Sequence, residues 1–296
     1  MGLDLRGVLT ALATPFEGGA VDEVRLRELV DWQIASGVHG LVVCGTTGEA
    51  AAMRADERAA AIACVVAQAA GRVPVVAGTG SNNTRATIEA TRQAAELGAD
   101  AALIVTPYYV KPTPAGLLAH YRAAAEVGLA IVAYNVPGRT GISLSPATAG
   151  ALAGIDEIIG LKEASGDLAL GARIASACAG RLALLSGDDA TWLPFLAIGG
   201  QGVISVASNV APKEMVALYE RFSAGDIDGA RAQHRALLPL YDALFVEPNP
   251  IPVKAALAML GRTGAEIRTP LSPLGEPGRE ALRRVLLAGG WLEGSA

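Results

Sequence analysis

The sequence predicts an α/β protein, a (β/α)8 TIM barrel with a small C-terminal helical appendage, and three observations carry that prediction. Eight short apolar runs recur at spacings of roughly 20 to 34 residues. Alanine-rich stretches of helical character separate them. From about Gly225 the alternation stops, and only helical stretches follow.

The runs are VLTALATP from Val8, GLVVCG from Gly40, PVVAGTG from Pro74, ALIVTP from Ala102, AIVAYNVP from Ala130, IIGLKEAS from Ile158, LALLSGDD from Leu182 and GVISVASN from Gly202. Each is nearly all apolar, as a strand buried on both faces should be. Helical stretches at 22–36, 54–70, 84–97 and 114–127 lie between them, so the strands are parallel and joined by crossovers. An open doubly wound sheet would show a glycine-rich phosphate loop after the first strand, and TPFEGGAVD from Thr14 is no such loop. The barrel is placed over 1–225. A helical region over 226–296, including 228–244 and 252–261, packs on it.

Composition narrows the function classes. Hydrophobic residues make up 51% of the 296 and charged residues 18%, which excludes a disordered chain. Aromatics are only 4%, so Ala, Val, Leu and Ile must build the core. The net charge is −5 and no run of Lys or Arg stands out, which argues against a nucleic-acid partner. The N-terminal apolar run is too short for a membrane span and no cleavage-like segment follows it, so a cytoplasmic protein without a membrane partner is expected. Three cysteines and three histidines are scattered without metal-ligand spacing, and no metal or cofactor is expected.

Barrel enzymes place their chemistry at the C-terminal ends of the strands. Lys162 interrupts the sixth run, where alternation puts Ile158, Gly160 and Lys162 on one face. Burial disfavours the charged form of an amine, and a neutral amine is what a Schiff-base nucleophile needs. The plainer alternative is a lysine that snorkels outward or pairs with Glu163. Of the four lysines, Lys111, Lys162, Lys213 and Lys254, only Lys162 ends a barrel strand. Tyr134 ends the fifth run and could shuttle protons, or simply pack. In GTTGE, Gly45–Glu49, two glycines let the chain turn sharply into a helix. Its N–H groups, with the Thr46 and Thr47 hydroxyls, suit a carboxylate, unless this is an ordinary capped turn. Arg139, after the turn Pro137-Gly138, could recognise a second carboxylate or lie on the surface.

YNVPGRT, GTTGE, IIGLKEASGD, LSGDDA, GGQGVISVASNV and NPIPVK together give a resemblance, from about Gly7 to Leu260, to the dihydrodipicolinate synthase (4-hydroxy-tetrahydrodipicolinate synthase) family of the N-acetylneuraminate lyase superfamily. The resemblance implies that Lys162 forms an imine with pyruvate and that Tyr134 donates and accepts protons. Thr46 would pass protons between Tyr134 and Tyr109, the latter contributed by a neighbouring subunit. Thr47 would hold the pyruvate carboxylate, the carbonyl of Ile204 would contact the keto acid, and Arg139 would bind L-aspartate 4-semialdehyde. A homotetramer, built as a dimer of dimers, is implied as well. Because the protonated imine is the electron sink, the reaction needs no metal.

The chain departs from the family at Ala50, Ala51 and Ala52, where a serine and a threonine are common, which alters the neighbourhood of the tight dimer interface. In lysine-sensitive members an interface cleft meets the inhibitor with a histidine and a glutamate. Those positions hold Ala55 and Ala86 here, a second histidine position holds Arg58, and Asn82 and Tyr108 match. Weak or absent lysine inhibition follows. Two other functions compete. A sister aldolase or dehydratase acting on sugar acids would have no need of Arg139, and a keto-acid-binding regulator would have no need of an imine-forming amine.

Overall fold

The computed structural model describes residues 3–293. Each of the eight apolar runs contains a strand: β1 (Gly7–Ala11), β2 (Gly40–Val43), β3 (Val75–Gly78), β4 (Ala101–Val105), β5 (Ala130–Asn135), β6 (Ile158–Glu163), β7 (Ala183–Ser186) and β8 (Gly202–Ser205). They close into a barrel in the order of the sequence. No residue of these strands is exposed, which is why the runs lack polar alternation. TPFEGGAVD contains a small hairpin: Phe16–Glu17 pairs antiparallel with Ala20–Val21. Gly18 and Gly19, at φ 59° and 80°, supply the positive φ that such a tight turn requires.

Helices α1 (Glu23–Ala35), α2 (Ala55–Ala69), α3 (Thr84–Glu96) and α4 (Pro114–Ala125) occupy the first four helical stretches. Then follow α5 (Pro137–Thr140), α6 (Pro146–Leu152), α7 (Leu168–Cys178), α8 (Trp192–Ala197) and α9 (Pro212–Ser223). Short polar side chains start several of them by accepting an otherwise unpaired N–H: Asp22 from Arg25, Asn83 from Ala86, Thr113 from Gly116, Ser145 from Thr148 and Asp167 from Leu170. Beyond residue 226 the described residues form α10 (Ile227–Ala243), α11 (Ile251–Met259) and α12 (Glu276–Ala288), and no strand. The last begins on the turn-like EPG, which disguises it. Pro277 sits in its first turn, where a missing N–H costs nothing.

The chain divides into two compact units. One runs from Pro74 to Ile204 together with the segment up to Gly7. In its core Ile104, Ile131, Ala133 and Leu161 of the strands meet Leu117, Tyr121, Leu152, Ile174 and Phe195 of the helices. The Tyr121 hydroxyl is satisfied there by donating to the Ile104 carbonyl at 2.8 Å. Strands β5 and β6 are in register with Ala133 opposite Leu161, Tyr134 opposite Lys162 and Asn135 opposite Glu163.

The other unit comprises Val8–Val73 and Ser205–Ala296. Here α1 packs on α2, α10 on α9 and α12, and α11 on α12. Buried amides tie its distant segments together. Gln33 accepts from Thr10 at 2.7 Å and donates to the Ser208 carbonyl at 2.9 Å. Asn209 accepts from Ala13 N–H at 3.1 Å and donates to the Ala11 carbonyl at 2.8 Å.

Candidate active site

In the first unit the strand ends of β5 and β6 set the geometry. Parallel register puts Tyr134 and Lys162 side by side and, with alternation, on one face. Both are buried, and Lys162 Nζ lies 4.4 Å from the centre of the Tyr134 ring. Among the described residues the amine has no ion pair and no hydrogen-bond acceptor, and Lys162 is 6% exposed. Gly187 makes room for it, and Gly160 lets the neighbouring strand approach. A side chain at Gly160 would come within 3.1 Å of the Ala183 carbonyl, and one at Gly187 would stand 2.7 Å from Lys162 Cε.

Glu163 does not pair with Lys162. Its carboxylate accepts from Asn135 Nδ2 at 2.7 Å and from Ser165 N–H at 2.6 Å. The snorkelling alternative fails as well, because the stem and the head of Lys162 are both inside.

Arg139 lies in the short helix α5, exposed, within a loop closed by hydrogen bonds from Thr140 Oγ1 to the Val136 and Ile142 carbonyls at 3.2 and 3.0 Å. Tyr109 is 87% exposed and sits at φ 70° between the exposed Tyr108 and Val110. Within one chain it therefore reaches into solvent rather than into its own unit. Ile204 is fully buried in β8.

In the second unit Thr46 and Thr47 occupy the turn after β2. Thr46 is half-buried and Thr47 buried, and Thr47 Oγ1 accepts from Asn249 Nδ2 at 3.0 Å. The expectation that glycines supply the turn's freedom and that it leads straight into a helix is corrected in two ways. The left-handed residues are Cys44 and Glu49, each at φ 55°, not Gly45 or Gly48. Gly48 is needed for closeness instead, since a side chain there would press on Leu12 O, Cys44 N and Thr14 Oγ1 at 3.2 Å. The chain then enters a 3-10 turn, Ala50–Ala52, and α2 starts only at Ala55.

Buried partners offset the strained conformation of Glu49. Its carboxylate meets Lys254 Nζ at 2.7 Å and accepts from Arg268 N–H at 2.9 Å. Lys254 also donates to the Thr14 carbonyl at 2.7 Å and lies 4.4 Å from the Phe16 ring centre. Thr14 Oγ1 in turn donates to the Gly48 carbonyl at 2.7 Å. Burial pulls the Lys254 amine below the usual lysine range, with Glu49 opposing.

Sequence reasoning assigned no role to Glu49, Lys254, Asn249, Asn135 or Glu163. A lysine inside the apolar helix IPVKAALAM and an acid directly after Lys162 were the signals available. The three cysteines are free, and burial pushes the Cys44 thiol up to about 12. Among the described residues no three His, Cys, Asp or Glu side chains gather as a metal site would require, and no helix is long and apolar enough to cross a membrane.

Residues 4–288 match the model of the dihydrodipicolinate synthetase family. A 4-hydroxy-tetrahydrodipicolinate synthase of Nitratidesulfovibrio vulgaris (strain DP4) is 50% identical over 292 residues, covering 98% of this chain and all of that one. A chloride-inhibited dihydrodipicolinate synthase from Acinetobacter baumannii, complexed with pyruvate, superposes with a TM-score of 0.95 at 44% identity, over 98% of this chain and all of that one. The enzyme from Cyanidioschyzon merolae, with lysine bound, gives a TM-score of 0.94 at 41% identity over 97% and 99% of the two chains. Matched over nearly its whole length in sequence and in fold, the chain belongs to the dihydrodipicolinate synthetase family.

Proposed function

We propose that this chain condenses pyruvate with L-aspartate 4-semialdehyde to give 4-hydroxy-tetrahydrodipicolinate, a class I aldolase-type lyase reaction of lysine and diaminopimelate biosynthesis. The observation that carries the reading is the buried Lys162 amine, unpaired among the described residues and beside the Tyr134 ring. Its nitrogen attacks C2 of pyruvate, the carbinolamine loses water, and the resulting iminium gives up a methyl proton. The enamine carbon attacks the aldehyde. The substrate's own amine then closes on C2, which returns Lys162 and leaves the hydroxylated ring.

Tyr134 handles the protons, relayed by Thr46 to Tyr109 of a neighbouring subunit. Thr47 holds the pyruvate carboxylate, the Ile204 carbonyl contacts the keto acid, and Arg139 takes the semialdehyde carboxylate. In this reading residues 1–225 form the catalytic barrel, 226–296 a helical region packed on it, and the enzyme works as a cytoplasmic homotetramer.

The competing sugar-acid reaction is not favoured, since relatives about half identical over the full length carry the synthase name. Arg139→Ala separates the two. It should lower kcat/KM for the semialdehyde by about 30- to 150-fold, the worth of one charge-assisted bidentate contact, and leave imine formation with pyruvate intact. Wild-type use of the semialdehyde by this variant would leave Arg139 without a part in binding and reopen the alternative.

A further inference from the structure

One residue past Tyr134 and Lys162, the strands carry a second register pair, Asn135 and Glu163. Alternation turns these side chains to the opposite face, and both are buried. Asn135 Nδ2 donates to Glu163 Oε2 at 2.7 Å, while Asn135 Oδ1 accepts from Leu144 N–H at 2.9 Å. Ser165 N–H donates to the other carboxylate oxygen at 2.6 Å. The amide cannot be turned round, because its oxygen is needed by an N–H and its nitrogen by a carboxylate. Among the described residues Glu163 forms no ion pair, so neutral donors alone satisfy this buried carboxylate.

The three bonds have consequences for the site. The side-chain bond crosslinks β5 and β6 directly beyond the Tyr134–Lys162 pair. The Leu144 bond closes the base of the loop that carries Arg139. The Ser165 bond fixes the exit of the chain behind Lys162. A pair of apolar side chains could fill this interior without the desolvation cost of a carboxylate, so what the polar pair adds is orientation.

We propose that Asn135 and Glu163 are positioning residues for the reaction: together they fix the Lys162 amine relative to Tyr134 and anchor the Arg139 loop to the same strand end. The proposal rests on the reading of Lys162 as the imine-forming amine.

An exchange of groups tests it. In Glu163→Gln, whichever way the amide is placed, two donors face each other, at Asn135 or at Ser165. In Asn135→Asp two carboxylates meet. The double variant, Asn135→Asp with Glu163→Gln, swaps the acid and the amide between the strands. Its new aspartate accepts from the new glutamine and from Leu144 N–H, the glutamine oxygen accepts from Ser165 N–H, and every group is again satisfied. Each single variant, assayed well below its Tm, should lose about tenfold or more in kcat and in the single-turnover rate of pyruvate imine formation. The double variant should return to within about threefold of wild type, a coupling that independent sites do not show.

Single variants that lower Tm but form the imine at the wild-type rate overturn the proposal, as does a double variant no faster than the product of the singles. If either single variant does not fold, Glu163→Asp loosens the brace without a donor clash. It should still slow imine formation, and a wild-type rate overturns the proposal. Failure of the underlying reading looks different: wild-type protein treated with pyruvate and borohydride would then gain no pyruvyl group at Lys162.

Discussion

Two lysines of this protein are buried, and they sit in different company. Lys162, at the end of a strand, has an aromatic ring beside it and neither ion pair nor acceptor among the described residues. Lys254, in the first turns of α11, is 2% exposed and fully engaged by Glu49, the Thr14 carbonyl and the Phe16 ring. Burial by itself therefore does not make a nucleophile. An amine must also be unengaged, and Lys254 Nζ is held by Glu49 and by the Thr14 carbonyl, each at 2.7 Å. The structure uses one buried lysine to hold a strained turn and leaves the other, among the described residues, without ion pair or acceptor.

The largest effect should come from exchanging the free amine. Lys162→Arg keeps charge and approximate bulk, but a guanidinium does not deprotonate at usable pH, so activity should fall by at least about a thousandfold. Mass spectrometry after borohydride reduction with pyruvate should place one pyruvyl group on Lys162 of the wild type and none on the variant. An adduct on Lys254 would erase the contrast between the two amines.

Next in size is the loss of the paired amine. Lys254→Met leaves Glu49 buried with only the Arg268 N–H, and should cost about 3–5 kcal/mol of stability by denaturant unfolding. Lys254→Met combined with Glu49→Gln should recover part of that loss, because the uncompensated charge is gone. Both variants should still trap pyruvate at Lys162 below their unfolding midpoints. A Lys254→Met variant as stable as wild type would mean that the ion pair holds nothing in place.

The two lysines were unequally legible. Eight apolar runs revealed the eight strands, because strands buried on both faces have no polar residues to blur them. Period-two alternation put Lys162 on one face with Ile158 and Gly160, but its place opposite Tyr134 came only with the strand register, which shifts between Ile131 and Val132. Lys254 was not legible in the same way. Its partner Glu49 is more than two hundred positions away, and a helix with one lysine reads as a helix with a solvated lysine. The left-handed Glu49 was hidden for a related reason: two glycines, Gly45 and Gly48, precede it, and sequence rules assign the unusual dihedral to glycine first. Asn135 and Glu163 stood in plain view within quoted motifs, but only the side-chain geometry shows that they face each other rather than the reactive pair.

A smaller effect concerns acid, again around the segment that holds Lys254 in place. Arg268, whose backbone N–H serves Glu49, grips Glu57 with both guanidinium nitrogens at 2.7 Å. That contact, first among the causes, holds the Glu57 carboxyl at about 2, against an ordinary 4.5. The folded-state value is depressed, so Glu57 contributes stability above the ordinary value, and that contribution is lost as pH falls from about 4.5 toward about 2. The urea midpoint of the wild type should decline through that window. In Arg268→Gln the decline there should be shallower, since the contribution is already missing at neutral pH. An unchanged slope would show that Glu57 carries no such linkage.

The smallest expected effect is the response to a third amine, free L-lysine. In lysine-sensitive family members a glutamate takes a charged end of the inhibitor, and the matching position here is Ala86, an exposed residue in the first turn of α3. The histidine position is Ala55, the first residue of α2, and the second histidine position is Arg58. Lys254 shows how this protein meets a buried ammonium, with the Glu49 carboxylate at 2.7 Å. Without one at position 86, the inhibitor's ammonium goes unpaired, and Arg58 adds a like charge. Binding of L-lysine should be weakened accordingly. Steady-state rates should therefore be nearly unchanged in millimolar L-lysine, and Ala86→Glu together with Ala55→His should create sensitivity where there was none. Half-inhibition of the wild type at millimolar lysine would mean that other residues supply the missing carboxylate.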